Sequence, residues 1–388
     1  MDFSLSDEQR MILGTVRAFV QKELVPLEAE MQRAELEGRN SPDRPTIRKL
    51  QAAARKAGLW GLLTPEEYGG ANLGYLMTAL ITMETAQALV PFVYGGSADN
   101  ILYQCSPAQR ERYLVPTIEG ERQSCFALTE PDTGSDATNI KMPAVRDGTD
   151  WVLNGEKVFI TNGCEADFAI VFAVTDKSKG YKGGVTAFLV DREMGWTSRR
   201  IETMGSWGPA ELQFDNVRVP AENVLGEEGS GFKLAMAWIG HGRLLIPARA
   251  VGQAQRLLEM GREYARQRIA FGHPIADYQA IQWMLADSAV EIEQVGWLVL
   301  SAAWRADQSG DARHVISMAK LAGAEMIWRV ADRVLQIHGG TGYTKEMPIE
   351  RVLRDVRVYR IYEGTDEIQR RSIARNLLER NAPIGSWA

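Results

Sequence analysis

Apolar positions recur with a helical period at both ends of the chain and with a strand period in its middle. Near the start, Ile12, Leu13, Val16, Phe19, Val20 and Leu24 fall on one face of an amphipathic helix. Ser6, followed three residues later by Gln9, carries the signature of its first turn. Pro26 lies where the pattern stops, and the polar stretch 35–44 reads as a loop. A second helix is predicted over 45–57, with Pro45 in a first turn that tolerates it. Pro65, Gly69, Gly70 and Gly74 punctuate the next connection, a helix follows over 77–88, and Ser106-Pro107 opens a short one ending near Leu114.

The period then changes. Trp151-Val-Leu, Asn154-Gly155 and Lys157-Val-Phe-Ile predict a hairpin with a tight turn. Runs over 168–174, 185–190 and 212–219 are β-branched or aromatic and of strand length. Beyond them, helical spacing returns over 231–239, 244–268, 278–308 and 312–336, long segments that suit an antiparallel bundle. The expected organisation is α+β and multidomain: a helical domain over 1–122, a β-barrel-like domain over 123–230 and a four-helix bundle over 231–388.

Composition narrows the function. The 388 residues are 45% hydrophobic and 24% charged, which is ordinary for a globular chain. A formal net charge of −6 gives no footprint for nucleic acid. Cys105, Cys125 and Cys164 are odd in number and widely spaced, so neither a disulfide framework nor a zinc site is expected, and the four histidines form no metal motif. Without a signal peptide pattern or an apolar run long enough for a bilayer, the expectation is a cytoplasmic protein with no membrane partner.

Five segments carry candidate chemistry. Phe126-Ala-Leu128-Thr129-Glu-Pro-Asp-Thr-Gly134-Ser135-Asp136 can bring backbone N–H groups near a phosphate or ring edge, and taken alone reads more readily as a turn. Phe159-Ile-Thr161-Asn-Gly163 offers an aromatic face, or simply a core strand and turn. Arg266-Gln-Arg268-Ile-Ala-Phe271-Gly272, with Gln279 beyond, suits a pyrophosphate clamp or a basic helix end. Gln336-Ile337-His-Gly339-Gly340-Thr-Gly-Tyr343 permits close backbone approach or ends a helix; no strand precedes it, so it is not the dinucleotide fingerprint. In Tyr362-Glu363-Gly364-Thr365-Asp366-Glu367, Glu363 stands before a helix start that Thr365 or Asp366 can cap. A lone carboxylate there is commonly a solvated residue.

Together and in this order, the segments resemble the acyl-CoA dehydrogenase family over nearly the whole chain. ALTEPDTGSD at 127–136, VFITNG at 158–163, VRVP at 217–220, RIAFG at 268–272, QIHGGTGY at 336–343 and RIYEGTDEIQR at 360–370 carry the resemblance. It implies FAD, an acyl-CoA substrate, an electron-transfer flavoprotein as acceptor and a homotetramer. Phe126, Leu128, Thr129, Gly134 and Ser135 would contact the flavin, and Phe159 and Thr161 would flank its ring. Arg268, Phe271 and Gln279, with Gln336, Ile337, Gly339 and Gly340, would hold the pyrophosphate and adenosine across a subunit boundary. Thr365 and Glu367 would touch FAD from the last helix. Arg243, Ser135, Tyr362 and Gly364 would line the substrate, with Glu363 as the base. Some members carry the base one residue before the matched arginine, where this chain has Gly242.

The resemblance also says why these residue types are needed. The α-C–H of a thioester is a weak acid, and charge developing at the carbonyl must be stabilised. In the family a ribityl hydroxyl and the base's own N–H do this. A buried carboxylate has the raised proton affinity to match. Departures from the usual pattern are Phe159 in place of tryptophan, Glu367 in place of glutamine and Gly240 in place of an acidic residue. The segment 204–212 lacks its usual basic and hydroxyl groups, and the lysines of 176–182 could meet CoA phosphates or be a solvated loop. Leu89, Pro91, Phe92, Tyr94 and Ala98 match the acyl-lining segment, and their bulk hints at a short, branched or cyclic acyl group or else at packing. An oxygen-using flavoenzyme and a non-catalytic FAD-binding relative are the alternative functions.

Overall fold

The computed structural model describes residues 4–39, 42–95, 100–206, 208–309, 312–380, 382 and 384. Ala98, from the acyl-lining group, and Trp207, from the altered 204–212 segment, lie outside them. Helices open and close the chain and sheets occupy its middle. The described residues fall into two compact units that cut across sequence order. The first comprises Met1–Trp60, Leu73–Tyr94 and Gly242–Ala388; the second comprises Gly61–Asn72 and Gly95–His241.

In the first unit, Ser6 and Gln9 form the expected capping box at the head of the helix Asp7–Phe19. The apolar face continues past it, but the backbone does not stay α-helical. Val20–Leu24 is a π turn, Val25–Leu27 a 3₁₀ turn containing Pro26, and a further helix, Glu28–Leu36, follows. Proline has no N–H to continue the ladder, so the chain changes hydrogen-bond pattern here without ending. That further helix buries only Met31 and Ala34, too little to show as periodicity. The helix Arg44–Lys56 begins at Asp43, whose carboxylate accepts the Thr46 N–H at 2.9 Å.

The expected pair of helices over 231–239 and 244–268 is one helix, Gly231–Gln267, with Pro247 inside it. Gly323 on the neighbouring helix Arg313–His338 makes room for that proline: a Cβ there would lie 2.6 Å from the Pro247 Cβ. The helix Gly74–Ala86 also approaches the long helix closely, since a Cβ on Gly252 would lie 2.0 Å from the Met83 carbonyl oxygen. Its first turn is capped from the helix Gln279–Ser309, where Asp307 accepts the Tyr75 and Leu76 N–H groups at 2.7 and 2.9 Å. Leu244, Val251, Val299, Ile327 and Val330 are among the core residues that seal these helices.

The second unit holds two four-stranded sheets. The strands are β1 (Ser124–Ala127), β2 (Ala144–Asp147), β3 (Asp150–Ile160), β4 (Phe168–Val174), β5 (Val185–Asp191), β6 (Thr197–Arg200), β7 (Ala210–Val219) and β8 (Val224–Leu225). One sheet runs β1-β4-β5-β8 and the other β2-β3-β7-β6. The hairpin expected at Asn154-Gly155 is absent. Those residues sit inside β3, where a register shift against β7 between Leu153 and Gly155 marks a bulge. Asn-Gly supplies the left-handed freedom that both a tight turn and a bulge require, and here β7 alongside makes it a bulge. The turn into β3 comes earlier, at Gly148, whose φ is +64°.

Candidate active site

Tyr362-Glu363-Gly364 joins a 3₁₀ turn, Arg357–Arg360, to the helix Asp366–Arg380. Its backbone is left-handed at two residues, strained at Glu363 with a φ of +53° and relaxed at Gly364 with a φ of +87°. A non-glycine residue in this region costs on the order of 1 kcal/mol and persists only where the surroundings impose it. Four hydrogen bonds do so. Arg243 Nε donates to the Glu363 carbonyl at 2.8 Å and Lys320 Nζ to the Gly364 carbonyl at 2.7 Å. Gln369 Nε2 donates to both carbonyls at 3.1 Å. Thr365 caps the helix by accepting the Ile368 N–H at 3.3 Å, and buried Asp366 pairs with Arg360 at 2.6 Å.

The Glu363 side chain is treated unlike its backbone. Its Oε2 is buried and has no hydrogen-bond partner. Burial pushes its carboxyl up to about 7, while Arg243 and Lys320 pull the other way. Burial also lowers the proton affinity of Arg243 and brings Lys320 down to about 8. The carboxylate thus stands near two cations that are bonded to peptide carbonyls and not to it.

Gly242 explains the space. A Cβ there would lie 3.2 Å from Glu363 Cδ and 3.3 Å from Oε1. The Glu363 carboxylate therefore faces the helix position that Gly242 leaves open.

In the second unit, the segment leaving β1 is fastened to β3. The Val158 N–H donates to the Thr129 carbonyl at 2.9 Å, bringing the 126–136 and 158–163 motifs side by side. Beneath them Lys157, fully buried, donates to Glu130 at 2.8 Å and to the Leu128 carbonyl at 3.0 Å. Glu130 also accepts the N–H groups of Lys141 and Met142 at 2.6 and 3.0 Å. Leu128 is buried, Thr129 half-buried, and Gly134, Ser135 and Thr161 exposed. Phe126 stacks on Trp238, ring centroids 3.9 Å apart, so one of its ring faces is occupied. Phe159 is 63% exposed at a φ of +58°, next to the second irregularity of β3.

The remaining expected cofactor residues lie in the first unit, on its surface. Arg268 follows the long helix, and Phe271-Gly272 turns a two-stranded hairpin, Ile269–Ala270 with His273–Pro274. Phe271 is 95% exposed with a φ of +53°. Gln279, Gln336, Gly339, Gly340 and Glu367 are exposed too, while Ile337 is buried. Arg243 and Arg268 stand 25 residues apart on and just beyond one helix, about 37 Å along its axis. These residues and Glu363 therefore form separate loci on one chain.

Of the acyl-lining group, Phe92 and Tyr94 pack with Phe19, centroids 5.2 to 5.5 Å apart, and Leu89 is buried. Packing accounts for their bulk. The 176–182 loop is fastened by Asp176, which accepts the Ser178 N–H at 2.9 Å and pairs with Lys179. Sequence reasoning passed over Lys320, Gln369 and the Glu130–Lys157 pair. The signal for Lys320 was a lysine on an apolar stripe of its helix; Lys157 sits likewise between strand residues that are buried. Among the described residues, no group of three His, Cys, Asp or Glu could hold a metal, and no helix is long and apolar enough to cross a membrane.

A carboxylate with raised proton affinity and a free oxygen, held by a strained peptide, can accept a proton from a weak acid. That is the equipment of an enzyme site. Models of the N-terminal, middle and C-terminal domains of acyl-CoA dehydrogenases match residues 6–121, 125–217 and 229–378. The chain belongs to the acyl-CoA dehydrogenase family and is an FAD-dependent oxidoreductase of that class. It is 38% identical over 395 residues to (R)-benzylsuccinyl-CoA dehydrogenase of Thauera aromatica, covering 97% of each chain. It is 40% identical to the mitochondrial short-chain specific acyl-CoA dehydrogenase of Mus musculus, covering 96% of this chain and 91% of that one. The solved structure of butyryl-CoA dehydrogenase from Megasphaera elsdenii superposes with a TM-score of 0.86 at 36% identity, covering 97% of this chain and all of that one.

Proposed function

We propose that this enzyme dehydrogenates an acyl-CoA thioester to the trans-2-enoyl-CoA, with Glu363 removing the α-proton. The observation that carries this reading is the Glu363 carboxylate itself: pushed up to about 7 by burial, with one oxygen unpartnered. A base of that affinity is ionised near neutrality and still accepts a proton. The α-proton passes to Glu363 as the α-carbon keeps the electron pair, and the double bond forms as a hydride leaves the β-carbon. Bound FAD supplies the two-electron acceptor for that hydride. Arg243, Lys320 and Gln369 hold the Glu363 carbonyl side, which aims the Glu363 N–H at the thioester oxygen. Tyr362 and Gly364 complete the substrate wall on either side.

The residues fit FAD. Phe159 and Phe271 are large, exposed aromatics held at positive φ, and ring faces left open to this extent suit a flat ligand. Gly134, Gly339 and Gly340 leave open space where a Cβ would meet nothing within 4 Å. In this reading Phe126, Leu128, Thr129, Gly134, Ser135, Phe159 and Thr161 serve the flavin half. Arg268, Phe271, Gln279, Gln336, Ile337, Gly339 and Gly340 serve the dinucleotide half of a second copy, because one cofactor does not span the helix from Arg243 to Arg268. An assembled protein is further supported by Trp283, Val290, Trp297 and Trp304, which repeat every seven residues along one helix and are 45 to 61% exposed. Such a stripe suits helix-to-helix contact between copies, in line with a homotetramer. An electron-transfer flavoprotein is the proposed acceptor.

Anaerobic titration with a panel of acyl-CoAs, followed at the flavin band near about 450 nm, tests the reaction. Bleaching by a thioester is expected. A yellow protein that no thioester bleaches returns the weight to an oxygen-using or non-catalytic role.

A further inference from the structure

The face of the long helix that meets Glu363 does not stop at Gly242. Residue 249 lies seven positions on, which returns to within about 20° of the same face and about 10 Å along the axis. Arg249 stands there, between Ala248 and Ala250, which are fully buried. One turn further, Gln253 accepts the Tyr359 hydroxyl at 3.0 Å, so the segment leading to Glu363 lies over this face. Tyr359 in turn stacks on Tyr362, centroids 5.8 Å apart and planes 12° apart. Glu363, Tyr362, Tyr359 and Arg249 therefore follow one another along a single seam.

Arg249 is solvent-accessible between its buried neighbours, and although burial weighs against its charge, the hydrogen bond with Tyr359 and the nearby Tyr362 leave its proton affinity raised. Among the described residues it forms no ion pair, and the groups acting on it are the hydroxyls of Tyr359 and Tyr362. A guanidinium has five donors, and one tyrosine oxygen occupies a single donor. The remaining donors are left for an anion that a ligand would bring.

We infer that Arg249 binds a carboxylate at the far end of the acyl group, so that the substrate is the CoA thioester of a dicarboxylic acid. The inference rests on the Glu363 reaction proposed above and adds the identity of the acyl group. Arginine side chains lean toward the helix N-terminus, here toward Glu363, which shortens the axial gap. With the α-carbon at Glu363, a terminal carboxylate reaches the guanidinium in an acyl chain of about five to seven carbons, at about 1.5 Å per C–C bond. The planar fork suits a two-point carboxylate contact, and Tyr359 and Tyr362 form an aromatic wall for the methylenes between.

The test compares glutaryl-, adipyl- and pimelyl-CoA with pentanoyl-, hexanoyl- and heptanoyl-CoA in the flavin-reduction assay on the holoenzyme. The wild type is expected to favour a dicarboxylic thioester over its neutral counterpart by at least about tenfold in kcat/KM, as a charge-assisted contact allows. Arg249→Met is expected to remove that preference while retaining flavin and reduction by the neutral thioesters, and Arg249→Lys to restore part of it. Equal or better turnover of the neutral thioesters by the wild type overturns the subsite alone, whether or not the variants fold. A preference that survives in Arg249→Met also overturns it. A flavin that none of the six reduces overturns the subsite, and failure with a wider thioester panel as well overturns the dehydrogenation reading beneath it.

Discussion

Two carboxylates, buried Glu130 in one unit and half-buried Glu363 in the other, are handled in opposite ways. Glu130 lies beneath the segment leaving β1, and both of its oxygens are engaged: Lys157 and the Met142 N–H at one, the Lys141 N–H at the other. Glu363 lies on a strained peptide, and its Oε2 is bonded to nothing. Near Glu363 the cations serve the backbone carbonyls. A carboxylate whose hydrogen bonds are complete stabilises a loop, and one whose hydrogen bonds are withheld keeps its affinity for an incoming proton. Glu363 is the less buried of the two and its proton affinity is raised, so the partners separate them.

The largest expected effect tests Glu363. Glu363→Gln should lower the rate of flavin reduction by about 10²- to 10⁴-fold, the usual contribution of a general base, while flavin content stays unchanged. An unchanged rate removes Glu363 from the chemistry. The same variant has a stability signature. Because the folded carboxyl is pushed up to about 7 from 4.5, its contribution to stability is fully present below 4.5 and lost as pH rises through about 7. The glutamine variant should therefore gain on the wild type across that window, by a few kcal/mol at most, in denaturant melts at pH 4.5 and pH 8.

Glu130→Ala should act on stability first. It leaves the Lys157 ammonium buried without its carboxylate, at a cost of about 3 to 5 kcal/mol in denaturant melts. Lys157→Met added to it should recover much of the loss. If Glu130→Ala lowers the rate at full stability and flavin content, the contrast between the two carboxylates fails.

Lys320→Met is the mildest change. Its ammonium favours the ionised form of Glu363, so its removal should raise the Glu363 carboxyl above about 7. The limb of kcat/KM that rises with pH should move to higher pH by about one unit, near 1.4 kcal/mol. A limb that stays in place with only kcat reduced would assign Lys320 to the peptide geometry alone.

Legibility in the sequence follows the range of the interactions. The capping box at Ser6, the helix start at Ser106-Pro107, the runs that became β4, β5 and β7, and the long bundle helices are local patterns and were readable. Asn154-Gly155 was misread, because its left-handed freedom suits a turn as well as a bulge and only β7 decides between them. The break expected between residues 239 and 244 does not exist, because the helix tolerates its glycines and Pro247 where Gly323 clears a place.

The order of the motifs settled the family, and the motif around Glu363 named that residue. Their physical state was not in the sequence. That Glu363 faces Gly242 across 120 residues, that Lys320 and Gln369 hold its peptide, and that Lys157 fastens Glu130 are facts of tertiary packing. Sequence patterns record spacing along one element. The proton affinity of a carboxylate depends on which charges and how much water surround it, and distant segments set both only when the chain folds.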